Sequence, residues 1–185
     1  MALGNLIRLW TAARGSEIVI PDFWALDLYG ELTGFDRDVP GTDLGVNVLE
    51  MLTSWRDDGV TLPNREPDRL IGFQRVPMAA LHNALWQCGA LLAVVALPLD
   101  AQRQDHFHLT QGAGSVPGGW GHHCVAVVGS EPMCSHVVTW GKRILATRDW
   151  MERYTVELYA AESALWNTGP ELAAEIDALN GMRTA

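Results

Sequence analysis

The first half of the chain repeats apolar residues at helical spacing. Leu3, Leu6, Ile7 and Trp10 fall on one helical face, which predicts a helix that begins almost at the first residue and ends at Gly15. The same spacing predicts three further helices. The second helix is capped by Asp22 and carries Trp24, Leu28 and Tyr29, and the third is capped by Thr42 or Asp43, carries Leu44, Val48, Leu52 and Trp55, and ends at Gly59. The fourth has Pro77 in its first turn, carries Met78, Leu81 and Leu85, and ends at Cys88 and Gly89.

Short apolar runs replace the helical spacing in the second half of the chain. Ala90–Leu97 is a continuous apolar run stopped by Pro98, and it predicts a buried strand. His123–Gly129 and His136–Trp140 predict a strand pair joined by a short turn, and Ile144–Ala146 predicts a third strand after them.

Two helices close the predicted order of elements, over Trp150–Ala164 and Glu171–Asn180. Helices come first and strands later, which predicts an α+β fold with an N-terminal helical half packed on a C-terminal antiparallel sheet. A length of 185 residues fits a single domain, 1–185. Its mainly helical half covers 1–89, and its strand-rich half, with the C-terminal helices, covers 90–185.

Composition and charge exclude several classes of function. The chain has 22 acidic and 13 basic residues, a formal charge of −9, and no run of Lys and Arg, so no nucleic-acid partner is expected. No apolar run is long enough to span a bilayer and no signal-peptide order is present. We therefore expect no membrane partner and an intracellular protein or a component of an assembled particle, not secreted through a signal peptide. No cofactor is predicted.

A long polar loop, Leu99–Gly121, precedes the second predicted strand, and loops of this length in compact domains are usually functional. It leads into GGWGHHCVAVVG, residues 118–129, where His122, His123 and Cys124 stand at the mouth of the strand. Three interpretations are open: polar residues that simply begin a strand, a metal site, or a thiol nucleophile with its imidazole.

The metal interpretation draws on the histidines of the preceding loop. His122 and His123 point to opposite faces of a strand and do not easily share one ion. His106 and His108 are two residues apart and could share one, but no carboxylate or thiolate is clearly placed to complete the coordination. A module that binds metal through His106, His108 and His122 stays the weaker alternative, and no metal ligand is assigned.

The nucleophile interpretation needs a thiolate within reach of an imidazole. Cys124 and His123 are consecutive strand residues, so their side chains diverge. Cys88 ends a helix and faces an apolar strand, and Cys134 lies in a turn. None of the three cysteines begins a helix, where the helix dipole would lower the thiol pKa. Spacing alone therefore leaves His123 without a thiol partner.

The segments GHHCVAVVG and HVVTWGK, in that order, resemble the second half of papain-like cysteine peptidases. The similarity is greatest to short bacterial and phage members, and NLIRLWTAARG, TDLGVNVLEMLTSWRDDGV, ALHNALWQCGALLAVVALPLDA and RDWMERYTVELYAAESALW also resemble that group. The resemblance covers nearly the whole chain and implies a papain-like fold.

The resemblance also implies roles for residues of this chain. His123 occupies the position of the catalytic imidazole, as a vestigial or active general base. Val138 falls where papain has the asparagine that orients the imidazole, and an isopropyl group cannot accept the ring N–H, so Thr139, a backbone carbonyl or water would orient it. Trp140 matches the tryptophan that shields the site, and Trp120 is expected to line the substrate cleft.

The largest departure from the family concerns its nucleophile. Aligning LIRLWT with the first long helix of the family places the nucleophilic cysteine about three residues before Met1, so the chain is expected to lack that cysteine and the N-terminal arm. The expected function is a non-catalytic binding or structural module with a protein partner or assembly subunits. The resemblance to phage members implies a phage particle as one setting, and therefore a cytoplasmic or virion-associated protein. The alternative is a thiol-dependent peptidase or amidase whose cysteine lies upstream of Met1. The oligomeric state is open.

Overall fold

The structure is a computed structural model, and it describes residues 1–63 and 67–166. Helices pack on both faces of a six-stranded antiparallel sheet, which confirms the predicted α+β class. The helices are α1 (Ala2–Ala13), α2 (Asp22–Thr33), α3 (Val48–Asp57), α4 (Leu81–Cys88) and α5 (Arg148–Tyr154). The strands are β1 (Leu70–Arg75), β2 (Leu91–Leu97), β3 (Gly121–Ser130), β4 (Cys134–Thr139), β5 (Lys142–Thr147) and β6 (Thr155–Ser163).

The strands are arranged in the order β1-β6-β2-β3-β4-β5. Each neighbouring pair is antiparallel. Short turns connect β3 to β4 and β4 to β5, whereas β6 lies between β1 and β2, far from both in sequence. The last strand of the described chain therefore lies inside the sheet and not at its edge.

The apolar strand β2 separates two hydrophobic cores because its side chains alternate between the faces of the sheet. Leu91 and Val95 belong to the core that includes α4 and α5. Leu92 belongs to the opposite core, where α1 and α3 bring Trp10 and Trp55 together at 6.0 Å between ring centroids. Helices thus cover both faces, which explains why β2 is one unbroken apolar run.

Two of the predicted helices have the expected apolar faces and ends. α1 buries the predicted stripe, and a glycine in the left-handed region, Gly15, follows it. A short 3-10 turn after Pro77 leads into α4, which ends at Cys88 with Gly89 as its cap. None of the helices in the described part of the chain is long and apolar enough to cross a membrane.

The predicted start of α3 is wrong by several residues. The helix begins at Val48, and the Asn47 side chain caps it by accepting hydrogen bonds from the first turn. Thr42 and Asp43, the predicted caps, make other contacts: Asp43 accepts a hydrogen bond from the hydroxyl of Tyr29 on α2. Asp22 likewise does not cap α2, because Pro21 is the cap residue and no side chain bonds there.

The predicted helix over Trp150–Ala164 is wrong beyond Tyr154. α5 ends there, and the chain continues directly as β6. Leu158 and Tyr159 are consecutive residues of β6 and belong to different cores, so both faces of this strand are buried. A strand buried on both faces shows no polar-apolar alternation, and its pattern resembles that of a buried helix.

β1 has no counterpart among the predicted strands. Its six residues show an irregular burial pattern, and its pairing with β6 shifts register between Leu70 and Gly72. The half of the chain predicted to be mainly helical therefore also supplies an edge strand. The predicted helix Glu171–Asn180 lies outside the described residues.

A buried carboxyl group connects α3 to β6. The Trp55 Nε1–H donates to Asp68 Oδ2 at 3.0 Å, and the Ser163 hydroxyl donates to Asp68 Oδ1 at 2.7 Å. Burial raises the pKa of Asp68, and the two hydrogen bonds act in the opposite direction. Both oxygens have a donor, so this polar group is compensated inside the protein.

The end of α4 is a left-handed turn covered by a tryptophan. Gly89 has φ 71°, and a Cβ atom there would lie 2.6 Å from the ring of Trp166. The Trp166 Nε1–H donates to the carbonyl oxygen of Gln87 at 2.8 Å, which holds the ring over the turn. Both the backbone angle and the close approach of the ring therefore require glycine.

Candidate functional site

His123 lies near the start of β3, opposite Val95 of β2. Its Nε2 atom is 2.7 Å from the Oγ1 atom of Thr139, a buried residue at the end of β4. The distance is that of a short hydrogen bond, and the proton position depends on the imidazole tautomer. Thr139 thus fixes one edge of the ring, as expected if it orients the imidazole; its catalytic role stays a prediction.

Trp140 occupies an unusual backbone conformation next to this pair. It has φ 46° and Gly141 has φ 70°, and the two residues form the turn between β4 and β5. Two-residue hairpin turns of this hand need positive φ at both positions, which is uncommon for a bulky residue. The indole stacks on His123 with 4.9 Å between centroids and 10° between planes, so the turn places a flat aromatic surface over the imidazole.

Trp120 extends this aromatic surface. The centroid of its ring lies 5.1 Å from that of the Trp140 ring. Trp120 is 39% exposed to solvent and Trp140 is 50% exposed. The end of β2 holds the loop in place, because the N–H groups of Gly118 and Trp120 donate to the carbonyl oxygens of Ala96 and Leu97 at 3.1 and 2.9 Å. The result is a solvent-accessible aromatic wall that ends at the imidazole.

The N-terminal end of α1 lies beside His123. Met1 is the cap residue of α1, and burial lowers the pKa of its ammonium group, while Cys124 and Asp22 nearby act in the opposite direction. Burial lowers the pKa of His123, and the positive charge of the Met1 ammonium lowers it further. His123 is therefore neutral at neutral pH, the form that can accept a proton.

The three thiols of the chain are held away from the imidazole group. Cys124 packs against the core of α1 and α3, and burial raises its pKa to about 12. Cys88 is buried and its Sγ lies 3.6 Å from a carboxylate oxygen of Glu162. Cys134 lies beside Glu131, and desolvation and that carboxylate raise its pKa. None of these environments favours a thiolate.

Val138 and the loop histidines do not join the group. Val138 packs against the core of α1 and α3, whereas the next residue along β4, Thr139, is the one that bonds His123. His122 is exposed, and the rings of His106 and His108 lie 4.8 Å apart at a tilt of 32°. Within residues 1–63 and 67–166, no three His, Cys, Asp or Glu side chains are arranged to hold a metal ion, so the metal alternative gains no geometric support.

Two contributions to this group were not predicted from the residues. The first is the turn that orients Trp140, for which the signal is a Trp-Gly pair between two predicted strands. The second is Asp22, whose charge acts on the Met1 ammonium from the start of α2. That proximity depends on how α2 packs, and a local pattern does not reveal it.

Blocking the α-amino group is expected to raise the pKa of His123. Acetylation of Met1 removes the positive charge that disfavours the imidazolium, so protonation becomes easier. The measurement is a pH titration of the histidine ring signals by NMR. It compares two samples that both retain Met1, one with a free α-amino group and one in which that group is acetylated. The ring signals of His82, on α4, are recorded in both samples as the internal reference. An unchanged His123 curve would contradict the placement of the α1 end beside the imidazole.

A scan against protein-family models finds no match to this sequence, and a search of curated proteins finds no relative. The geometry around His123 and the resemblance of its flanking segments are thus what any functional proposal has to rest on.

Proposed function

We propose that the chain has a papain-like fold and acts as a non-catalytic binding or structural module. The observation that carries the proposal is the group around His123, which has an imidazole bonded to Thr139 and covered by Trp140 but no thiol of this chain. An α+β fold with helices on both faces of an antiparallel sheet is compatible with the proposed family. The resemblance to short phage members suggests a phage particle as its setting.

Thiol chemistry supports the non-catalytic half of this proposal. A nucleophilic cysteine needs a thiolate beside a general base, and removal of the nucleophile costs nearly all catalysis because the groups act as a unit. Burial raises the pKa of Cys124 to about 12, so this thiol stays protonated at neutral pH. The partly exposed rings of Trp120 and Trp140 are free to contact a partner instead.

A second candidate function is a thiol-dependent peptidase or amidase in which a cysteine N-terminal to Met1 supplies the nucleophile. The N-terminal end of α1 lies beside His123, and it favours this candidate because a helix start lowers the pKa of a thiol. His123 would take the proton of that thiol, the thiolate would attack an acyl carbon, and the His123 imidazolium would give the proton to the leaving amine, which leaves a thioester for water to hydrolyse.

A thiol introduced three residues before Met1, where the resemblance places the nucleophile, tests the proposed geometry. The chain with a three-residue extension Cys-Gly-Ser before Met1, released from a fusion so that the cysteine is terminal, should react with iodoacetamide at slightly acidic pH about tenfold faster than the same extended chain with His123→Ala, because the imidazolium stabilises the thiolate. Peptide mapping assigns the labelled site. Equal rates would contradict the papain-like arrangement.

Assays of the unmodified chain test the proposed absence of catalysis. It should hydrolyse no fluorogenic peptide or amide substrate, and His123→Ala should leave its slow thiol labelling unchanged. Labelling of Cys88, Cys124 or Cys134 that depends on His123 would overturn the non-catalytic proposal. Peptidase activity in an N-terminally extended product with a cysteine, lost in His123→Ala, would establish the second candidate.

A further inference from the structure

Negative charge is concentrated in one part of the chain. Residues 17–50 contain eight of the 22 acidic residues and only one of the 13 basic residues, Arg37. Glu17 is partly neutralised, because Arg8 forms an ion pair with it at 2.6 Å. The remainder of this acidic segment includes α2, which has no buried residue. A helix with no buried residue has one side that no other part of the domain packs against.

The two sides of α2 differ in their contacts. Trp24, Leu28 and Leu32 pack against the core of α1 and α3, and the Trp24 Nε1–H donates to the carbonyl oxygen of Thr61 at 2.6 Å. The opposite side presents Phe23, which is 67% exposed, and Leu26, which is 38% exposed. α2 is therefore fixed to the domain by its inner side, while its outer side carries apolar surface open to solvent.

Two open grooves flank this outer side. One, of about 880 Å³, runs past Leu26, Gly30 and the segment 34–38, and the other, of about 600 Å³, runs past Val19, Pro21 and Pro63. Both share one ridge, formed by Phe23, Asp27 and Glu31 at successive helical turns.

Gly30 keeps the first groove open. It has no side chain, and a Cβ atom there would lie 3.1 Å from the carbonyl oxygen of Phe35. Asp36 and Asp38 add negative charge to the wall of this groove, against the single positive charge of Arg37. The outer side of α2 thus combines exposed apolar side chains with an acidic rim, the composition of a protein-binding surface.

Charge decides between the possible occupants of this surface. A second copy would bring the same acidic segment and a total charge of −9, which opposes association. Residues 167–185 contain three acidic residues and one basic residue, so they also have the wrong sign. Nucleic acids and anionic membranes are repelled for the same reason.

We propose that the outer side of α2, with its two grooves, binds a cationic amphipathic segment of another protein. Apolar side chains of the segment fill the grooves on either side of Phe23, and its Lys or Arg side chains pair with Asp27, Glu31, Asp36 and Asp38. His123, Thr139 and Trp140 do not line either groove, so the inference does not depend on the proposed papain-like fold or on the proposed loss of catalysis.

The test uses a fluorescent amphipathic peptide of about 15 residues with Leu on one helical face and Lys on the other. We expect the full chain to bind it and to bind a scrambled peptide of the same composition about tenfold more weakly. Phe23→Ala/Leu26→Ala should weaken binding about tenfold, because it removes the apolar anchors. Asp27→Asn/Glu31→Gln should weaken binding and reduce its dependence on salt.

Matched variants elsewhere on the surface are the controls. Ile71→Ala/Val156→Ala removes two apolar side chains of similar exposure from β1 and β6, and Asp105→Asn/Glu152→Gln removes two exposed carboxylates. Both should bind the peptide like the unmodified chain, and so should His123→Ala. Circular dichroism verifies that each variant is folded.

Three results would overturn the inference. The first is equal affinity for the amphipathic and scrambled peptides, which would indicate charge attraction without a docking surface. The second is a dimer of the chain that Phe23→Ala dissociates. The third is a full chain that fails to bind the peptide until residues 167–185 are removed, which would identify that segment as the occupant.

Discussion

Trp55→Ala is expected to lower the free energy of unfolding by about 4 kcal/mol. The indole is fully buried, contacts Trp10, and donates the hydrogen bond to Asp68, so its loss opens a cavity and removes a donor from a buried carboxyl group. Urea unfolding measures the change. Trp86→Ala is the control, because Trp86 is 85% exposed and its loss should change stability by less than about 0.5 kcal/mol. Similar losses for the two variants would contradict the placement of Trp55.

The milder variant Trp55→Phe isolates the hydrogen bond through its pH dependence. A carboxyl group whose pKa is raised on folding stabilises the protein most in acid, and this contribution declines as pH rises through its folded pKa. The Trp55 bond lowers the pKa of Asp68, so its removal raises that pKa further. Trp55→Phe should therefore cost more stability at neutral pH than in acid, and this pH dependence should vanish in the Asp68→Asn background.

Gly89→Ala should reduce stability by about 3 kcal/mol, because it adds backbone strain to the displacement of the Trp166 ring and the loss of its hydrogen bond. Gly15→Ala is a closely matched control: Gly15 has φ 72°, and no atom lies within 4 Å of its added Cβ. Its cost should be that of the backbone alone, about 1 kcal/mol. In the Trp166→Ala background the two penalties should become equal, and a difference that persists would exclude the ring as its cause.

Local patterns predicted those elements that bury a single side or form one short unbroken run. The stripe Leu3, Leu6, Ile7 and Trp10 predicted α1, and the run 90–97 predicted β2 within one residue. β6 failed this approach because both of its faces are buried, and β1 failed because a glycine and a register shift interrupt its pattern. Pairing between strands so distant in sequence carries no local signal.

In the candidate site, too, features with a local sequence signal were predicted, and features that depend on distant contacts were not. His123 was singled out at the start of its strand, Thr139 and Trp140 were added through the resemblance, and the structure brings the three together. Adjacent strands align such residues whenever the turn between them is short. The end of α1 was associated with His123 through the resemblance alone, since more than a hundred residues separate the two. The contribution of Asp22 depends on tertiary packing and had no signal in its neighbourhood.

The position of β6 inside the sheet affects how the protein is made. During synthesis β1 and β2 emerge early, yet the strand that pairs with both of them comes last among the described elements. Until then each presents an unpaired edge, and the core of α1 and α3 lacks Tyr159 and Ala161. The ribosome therefore releases most of the chain before its sheet can close, so a nascent chain stalled before residue 155 is the species most exposed to aggregation and most dependent on chaperones.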